Sequence, residues 1–167
     1  MDKNSNFAKK RMKKDNEIIE KLEKIEASGD TKDVDILIDS IISSNKLVSE
    51  KAYYILCNVK KTSAVEKIIK KIKKSEKEKE KILLTSICWQ SSLDFSPYIE
   101  LFVELAINGS LELTIESFST IENILDQNIV DKTHIKSCLN TLEEAVKSQK
   151  NEKLALLKEL INVLNKI

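Results

Sequence analysis

Few side chains in this sequence have the types and spacing needed for chemistry. His134, the single histidine, and Cys138 are four residues apart and would share one face of a helix, a spacing that allows two metal ligands. No second ligand pair accompanies them, and Cys57 and Cys88 lie among apolar residues. We therefore predict no metal, no cofactor, and three reduced cysteines that pack as small hydrophobic side chains.

Sequence motifs typical of enzymes are also missing. Because the chain has only two glycines, it is poorly suited to a glycine-rich phosphate-binding loop, and it contains no nucleophile-elbow pattern. Carboxylates are plentiful, but a solid helical stack offers no cleft that would separate their pKa values for acid–base catalysis. We predict that the protein is not an enzyme and has no catalytic residues.

Acidic residues dominate the middle of the chain. Residues 82–131 contain eight aspartates and glutamates and no lysine or arginine, although the whole chain has 28 basic residues and a net charge of +1. Glu112, Glu116 and Asp126 lie roughly along one side of a predicted helix. This pattern indicates either an acidic surface that binds a basic partner, or a solvated face neutralised by lysines of neighbouring helices.

The single tryptophan, Trp89, lies at a predicted helix end in the segment CWQSSLDF. Together with Gln90 and Asp94 it could anchor a protein partner, because tryptophan is enriched among residues that dominate binding energy. In the alternative interpretation Trp89 packs against Phe95 across a turn, and Asp94 supports that turn. The sequence leaves both interpretations open.

Lysines are concentrated in residues 60–81. A basic helix that carries Lys67, Lys70, Lys71 and Lys74 could bind nucleic acid through phosphate contacts. Glutamates are interleaved with these lysines, which favours a salt-bridged, solvated face. The chain also has a single arginine, the residue that specific base recognition prefers. Non-specific nucleic-acid binding is therefore kept as an alternative function.

The elements that carry all these residues are predicted to be helices. The chain has two glycines and one proline, and no segment alternates with period two for long enough to predict a strand. Apolar residues recur with helical spacing instead. The predicted helices cover about 7–27, 33–43, 49–59, 65–72, 78–90, 97–107, 111–126, 132–148 and 151–166.

Three local signals predict helix ends. The segment Ser63–Glu66 has the pattern of a capping box. Ser96 is predicted to cap a helix whose first residue is Pro97. Gly109 is predicted to end that helix in the left-handed conformation that glycine adopts easily.

The predicted helices form pairs that repeat along the chain. Equivalent apolar positions recur at spacings of 31 to 34 residues in both members of each pair. These positions are Ile41, Ile72 and Leu105 in the first helices, and Leu56, Ile87 and Ile121 in the second helices. Stacked pairs of this kind build one continuous core, and an irregular helical bundle is the alternative.

The segment PYIELFVELAINGSLELTIESFSTIENI, residues 97–124, resembles a HEAT-type repeat: an apolar helix, a polar turn and a second apolar helix. Residues 34–59 and 65–89 resemble weaker copies, and CWQSSLDF is similar to a segment of small bacterial HEAT-like proteins. The aspartate and arginine frequent around the turn of such repeats are missing here. The resemblance implies an all-α protein, an α-solenoid of stacked antiparallel hairpins, with a concave face lined by the second helices.

The expected organisation is a single domain over residues 1–167. Residues 1–30 would form an N-terminal helix or arm, and residues 31–167 about four stacked hairpins. The apolar stretches are too short to cross a bilayer, and the N-terminus lacks the apolar segment of a secretory signal. With an odd number of cysteines, this favours a cytoplasmic protein without a membrane partner.

We therefore expect a non-enzymatic scaffold that binds another protein, and a basic segment of that protein is the expected contact. Neutralisation of a toxin by binding is a special case of this function. The residues expected to contact the partner are Trp89, Gln90, Asp94, Glu112, Glu116 and Asp126.

Overall fold

The computed structural model describes residues 3–28, 34–127, 130–148 and 152–167, with side chains described from Met12 onward. Within these ranges every regular element is a helix, which confirms the all-α class. The helices are α1 (Lys3–Ser28), α2 (Val34–Ser40), α3 (Lys46–Cys57), α4 (Ser63–Lys74), α5 (Glu78–Gln90), α6 (Ile99–Asn108), α7 (Leu111–Gln127), α8 (Lys132–Ser148) and α9 (Leu154–Leu164), with a short 3₁₀ helix at Ser96–Tyr98.

The periodicity of apolar residues explains why most of these helices form. In α4, Val65, Ile68, Ile69 and Ile72 are buried along one face, and the lysines lie on the others. Helix α5 differs, because Leu84–Cys88 are buried without interruption. This burial places the middle of α5 inside the molecule, and α5 accordingly packs against α3, α4 and α7.

Each helix from α2 onward packs against its partner along the chain: α2 with α3, α4 with α5, α6 with α7, and α8 with α9. The second members of these pairs also contact one another in series, α3 with α5, α5 with α7, and α7 with α9. Among the first members, α2 packs against α4 and α6 against α8, while α1 packs against α3. This order places α5 and α7 near the centre of the second-helix series.

The apolar core runs from α1 to α9. Leu56, Ile87 and Ile121, the predicted equivalent positions of the second helices, are all fully buried. Of the predicted first-helix positions, Ile41 and Ile72 are buried and Leu105 is half-buried. Among the described helices, none is both long enough and apolar enough to cross a membrane.

Helix boundaries agree with the sequence prediction in some places and differ in others. The predicted ranges 78–90 and 132–148 coincide with α5 and α8. Helix α3 begins earlier than predicted because the side chain of Asn45 accepts a hydrogen bond of 3.0 Å from the amide of Leu47, which caps the helix at that point. The predicted beginning at residue 33 and the predicted end near Gly29 lie outside the described residues.

Two predicted N-caps are wrong. Ser63 does not cap α4: it is the first helical residue, and Thr62 precedes it in α-helical conformation without a side-chain capping bond. Ser96 does not cap α6, because Ser96–Tyr98 forms the 3₁₀ helix and α6 begins at Ile99. Asp94 takes the capping role instead, since its Oδ1 accepts a 2.8 Å hydrogen bond from the amide of Ser96.

The predicted left-handed conformation of Gly109 is also wrong. Gly109 has φ −81° and ψ 178°, an extended conformation that any residue can adopt. Glycine is required here by close packing, because a Cβ atom would lie 2.8 Å from the carbonyl oxygen of Leu105 and 2.6 Å from the side chain of Leu113. The absence of a side chain therefore allows α7 to begin directly against the end of α6.

Candidate functional site

Helices α5 and α7 are linked by the two most distinctive sequence candidates. The indole Nε1 of Trp89, at the end of α5, donates a 2.7 Å hydrogen bond to Oε2 of Glu116 on α7. Both side chains are half-buried. A hydrogen bond to an ionised carboxylate is stronger than one between neutral groups, so the bond holds the Trp89 ring and the Glu116 carboxylate in a defined orientation.

Gln90 belongs to a second polar link, between α5 and α3. Its Nε2 donates a 2.6 Å hydrogen bond to the hydroxyl oxygen of Tyr53, which lies 2.8 Å from Oγ of Ser86. Because the Ser86 hydroxyl donates to the carbonyl of Leu83 at 2.9 Å, the Tyr53 hydroxyl must donate to Ser86. The result is a chain of hydrogen bonds that runs in one direction across the two helices.

Sequence analysis missed Tyr53, although it connects this cluster. Burial raises the pKa of Tyr53; its hydrogen bond with Ser86 opposes this rise, and the nearby Cys57 and Glu116 side chains raise the pKa further. The two links are close to each other because Trp89 and Gln90 are consecutive residues at the end of α5. The only sequence signal was spacing: Tyr53 and Ser86 are 33 residues apart, close to the repeat length. We call Tyr53, Ser86, Trp89, Gln90 and Glu116 the aromatic–acid cluster.

Asp94 does not belong to the aromatic–acid cluster. Its described hydrogen bond is the local one to the amide of Ser96, which organises the turn before α6. The aromatic ring described against Phe95 is that of Phe102, with ring centroids 6.2 Å apart and planes at 84°. Asp94 therefore supports the turn, as the alternative interpretation predicts. Its contact with a partner remains a prediction.

Glu112 and Asp126 lie on the outward side of α7. Both side chains are exposed, and the helical repeat places them on the same side as Glu116 and Ile115. Ile115 is itself 47% exposed, so this side of α7 carries an apolar side chain among its carboxylates. We call the surface formed by Glu112, Ile115, Glu116 and Asp126 the acidic face.

Lysines from neighbouring helices do not neutralise the acidic face in the described part of the chain. Among the described residues, the single basic side chain within 4.0 Å of a carboxylate from residues 82–131 is His134, whose Nδ1 lies 3.4 Å from Oε1 of Glu100. Hydrogen bonds from Ser137 and then His134 lower the pKa of Glu100. That contact joins α6 to α8 and leaves the charges of α7 unpaired by lysine.

Lysines of the 60–81 run make ion pairs instead. Lys67 Nζ lies 2.7 Å from Asp35 Oδ2, and Lys71 Nζ lies 2.9 Å from Asp39 Oδ1. The hydrogen bond to Asp39 is the main cause of a raised pKa of Lys71. These pairs line a groove of about 320 Å³ between α2 and α4. Two of the four lysines considered for nucleic-acid binding are thus engaged by carboxylates, which weakens that alternative.

His134 and Cys138 of α8 differ in burial, so they do not face the same environment. Cys138 is buried, and desolvation followed by the charge of Glu100 raises its pKa to about 12. His134 is exposed and contacts Glu100. In the described ranges, no group of three or more histidine, cysteine, aspartate or glutamate side chains is arranged to hold a metal ion.

The geometry thus brings three of the six predicted site residues, Trp89, Gln90 and Glu116, into one cluster on the second helices. Glu112 and Asp126 extend the surface along α7, and Asp94 serves the neighbouring turn. The arrangement offers oriented aromatic and carboxylate groups on an open surface, which suits binding. Comparisons of this chain with protein-family models, with curated proteins and with solved structures find no match.

Proposed function

We propose that this protein is a non-enzymatic scaffold that binds a basic segment of another protein through the acidic face and the adjoining aromatic–acid cluster. The observation that carries the proposal is the exposed, unneutralised charge of α7. Glu112 and Asp126 are exposed and make no salt bridge with any described lysine, whereas Lys67 and Lys71 are paired elsewhere. Like charges on one helix face repel, and a basic partner relieves that repulsion.

The aromatic–acid cluster supplies the orientation that an exposed acidic helix lacks. Trp89 engages one oxygen of Glu116 at 2.7 Å, so the carboxylate is held in place before a partner arrives. The half-buried Trp89 ring offers an apolar contact and a π-face for a lysine or arginine side chain. Preorganised groups of this kind reduce the entropy lost on binding.

We also propose that the helices form a HEAT-like α-solenoid, which would present the second helices as one extended surface. Two observations support this arrangement. The second helices contact one another in series. Side-chain contacts also recur at about one repeat length: 32 residues for Asp35–Lys67 and for Glu78–Ser110, and 33 for Tyr53–Ser86. Stacked repeats produce such contacts because each unit touches its neighbours.

A cytoplasmic location is part of the same proposal. The three cysteines are free thiols, and Cys88 and Cys138 are buried. Burial raises the pKa of both thiols, which keeps them protonated and unreactive at neutral pH. Unpaired cysteines of this kind are typical of proteins in a reducing compartment.

Binding of a fluorescent lysine- and arginine-rich peptide, measured by anisotropy at low ionic strength, tests the function. We expect the double variant Glu112→Lys, Asp126→Lys to weaken binding on the order of a hundredfold, because attraction becomes repulsion at two positions. Both side chains are exposed, so circular dichroism should show an unchanged fold.

The matched control is Glu143→Lys, Glu152→Lys, which makes the same change in net charge at exposed positions outside α7. This control should bind the peptide within about threefold of the unmodified protein, because it keeps every carboxylate of the acidic face and changes only the net charge. Equal loss in both double variants would show that only net charge matters, and would remove the acidic face from the proposal.

A further inference from the structure

We propose that the acidic face binds the N-terminal half of α1 of a second copy of this chain. The inference rests on the proposed function, because it names the occupant of the same surface. Its support comes from two surfaces of one molecule, the basic half of α1 and the acidic face. They are opposite in charge, and each carries an exposed apolar side chain. The two surfaces are carried by helices that lie apart in the packing order.

The N-terminal half of α1 is strongly basic. Residues 3–14 contain six basic residues and no acidic one, whereas the remainder of α1 carries all five of its acidic residues. Lys13 and Lys14 are exposed. The described contacts of α1 with the core come from its other half, in which Leu22 and Ile25 are buried. The described basic side chains therefore stand outside the packed part of the helix.

This distribution of charge is unfavourable for an isolated helix. The N-terminus of a helix carries a partial positive charge, so acidic residues stabilise it and basic residues destabilise it. Helix α1 has no acidic residue in its first turn. An acidic surface packed against residues 3–14 would offset both the repulsion among the lysines and their repulsion by the helix dipole.

Each of the two surfaces also has an exposed apolar residue among its charges. Met12 is 66% exposed and lies next to Lys13 and Lys14. Ile115 is 47% exposed, and the helical repeat places it between Glu112 and Asp126 on α7. A small apolar centre with a charged rim is the usual composition of a protein interface.

The contact has to come from another molecule rather than from the same one. Helix α1 packs against α3, whereas α7 packs against α5, α6 and α9. Helices α3 and α5 thus lie between the two surfaces in the packing order. Since the two patches lie on separate helices, each contact joins the acidic face of one copy to α1 of another, and it leads to chains of copies, to closed rings, or to a two-fold dimer in which the contact is made twice.

Sedimentation velocity across a range of protein and salt concentrations tests this inference. We expect the unmodified protein to associate at low salt and to dissociate as salt screens the contact. Lys13→Glu, Lys14→Glu should weaken self-association on the order of a hundredfold, and so should Glu112→Lys, Asp126→Lys. The quadruple variant, in which both surfaces are reversed, should associate again within about tenfold of the original affinity.

Two further variants separate a specific contact from general charge effects. Lys136→Glu, Lys158→Glu reverses two exposed lysines of α8 and α9 and should leave association within about threefold. Met12→Ser should weaken association about fivefold to tenfold without changing its salt dependence, because it removes apolar contact only. Failure of the quadruple variant to associate would overturn the pairing of the two surfaces.

The outcome also distinguishes this inference from the proposed function. If the protein is monomeric at all salt concentrations while the unrelated basic peptide still binds the acidic face, the second copy is not the partner and the proposed function stands. If neither self-association nor peptide binding is found, both proposals are wrong. Association that persists in both double variants would assign the contact to another surface and overturn the inference.

Discussion

The contact between α2 and α4 differs from the contact between α5 and α7 in the kind of polar interaction that joins the helices. Between α2 and α4, Asp35 and Asp39 pair with Lys67 and Lys71 at 2.7 and 2.9 Å, and both aspartates are 71% exposed. Between α5 and α7, the described polar contacts are the Trp89–Glu116 hydrogen bond and a buried bond of 3.2 Å from the Thr120 hydroxyl to the Thr85 carbonyl.

The difference shows where charge is available for a partner. Between α2 and α4, the carboxylates form salt bridges with lysines of the same molecule. Between α5 and α7 the contact uses hydroxyl and aromatic groups and one carboxylate, that of Glu116, so the carboxylates of Glu112 and Asp126 stay exposed. Exposed ion pairs contribute little to stability, whereas buried contacts contribute more. The α5–α7 contact is therefore both the more stabilising and the more available for binding.

Small side chains with hydroxyl groups allow α7 to pack closely against α5 and α6. Thr114, Ser117 and Thr120 are fully buried, although α7 is a surface-facing helix on its acidic side. The Thr114 hydroxyl donates to the Ala106 carbonyl of α6 at 2.8 Å, and Thr120 contacts α5. The Ser117 hydroxyl has no hydrogen-bond partner among the described residues. Ser117 thus serves by its small size and not by its polarity.

The largest effect is expected from a larger side chain at Ser117. Ser117→Leu should lower the free energy of unfolding by about 3 kcal/mol, because the two additional heavy atoms of leucine have no space in the buried side of α7. Ser117→Ala is the matched control. It removes an unsatisfied hydroxyl and should be neutral or stabilising by up to about 1 kcal/mol. Denaturant unfolding followed by circular dichroism gives both values.

A loss of more than about 1 kcal/mol in Ser117→Ala would contradict this account, since it would mean that the hydroxyl makes a favourable contact. Equal stability of the leucine variant would show that α7 is loosely packed, and would remove the contrast with α2 and α4.

An intermediate effect is expected at the Trp89–Glu116 bond. Glu116→Ala should cost about 1 to 2 kcal/mol, because it removes a charge-assisted hydrogen bond between two half-buried groups. Trp89 is the single tryptophan, so its fluorescence reports on this bond directly. We expect an emission shift to longer wavelength in Glu116→Ala. Glu116→Gln keeps an acceptor oxygen and should retain most of the original emission; a shift as large as that of alanine would argue against the bond.

The smallest effect is expected at the two salt bridges between α2 and α4. Asp35→Asn, Asp39→Asn should lower the free energy of unfolding by less than about 1 kcal/mol, because the aspartates are exposed and water screens both pairs. The effect should decrease further in high salt, as measured by thermal unfolding at two ionic strengths. A loss that exceeds that of Glu116→Ala would reverse the comparison between the two contacts.

Local pattern was sufficient to predict much of the fold. The ranges 78–90 and 132–148 coincide with α5 and α8, and the buried positions Leu56, Ile87 and Ile121 were identified from spacing alone. Helical periodicity is a property of consecutive residues, so it can be read without knowledge of the partner helix. Trp89, Gln90 and Glu116 were also singled out from their types and positions.

Helix ends were less predictable because tertiary contacts compete there. Ser96 and Pro97 have the residue types of a helix start, but the Asp94 side chain and a 3₁₀ turn delay α6 to Ile99. Gly109 has the residue type of a left-handed cap, but the close approach of Leu113 decides its role. In both cases a contact that depends on the neighbouring element overrides a local preference.

The sequence by itself determined that this chain is helical, which residues form its core, and that residues 82–131 lack basic charge. Only the tertiary structure decided which polar and charged side chains contact one another. It joined Trp89 to Glu116 and brought Tyr53 to Gln90 across 37 residues, while lysines elsewhere were paired with aspartates. The reason is physical: helix formation depends on neighbours along the chain, whereas the pairing of side chains depends on which helix faces pack together, and these are set by the whole core.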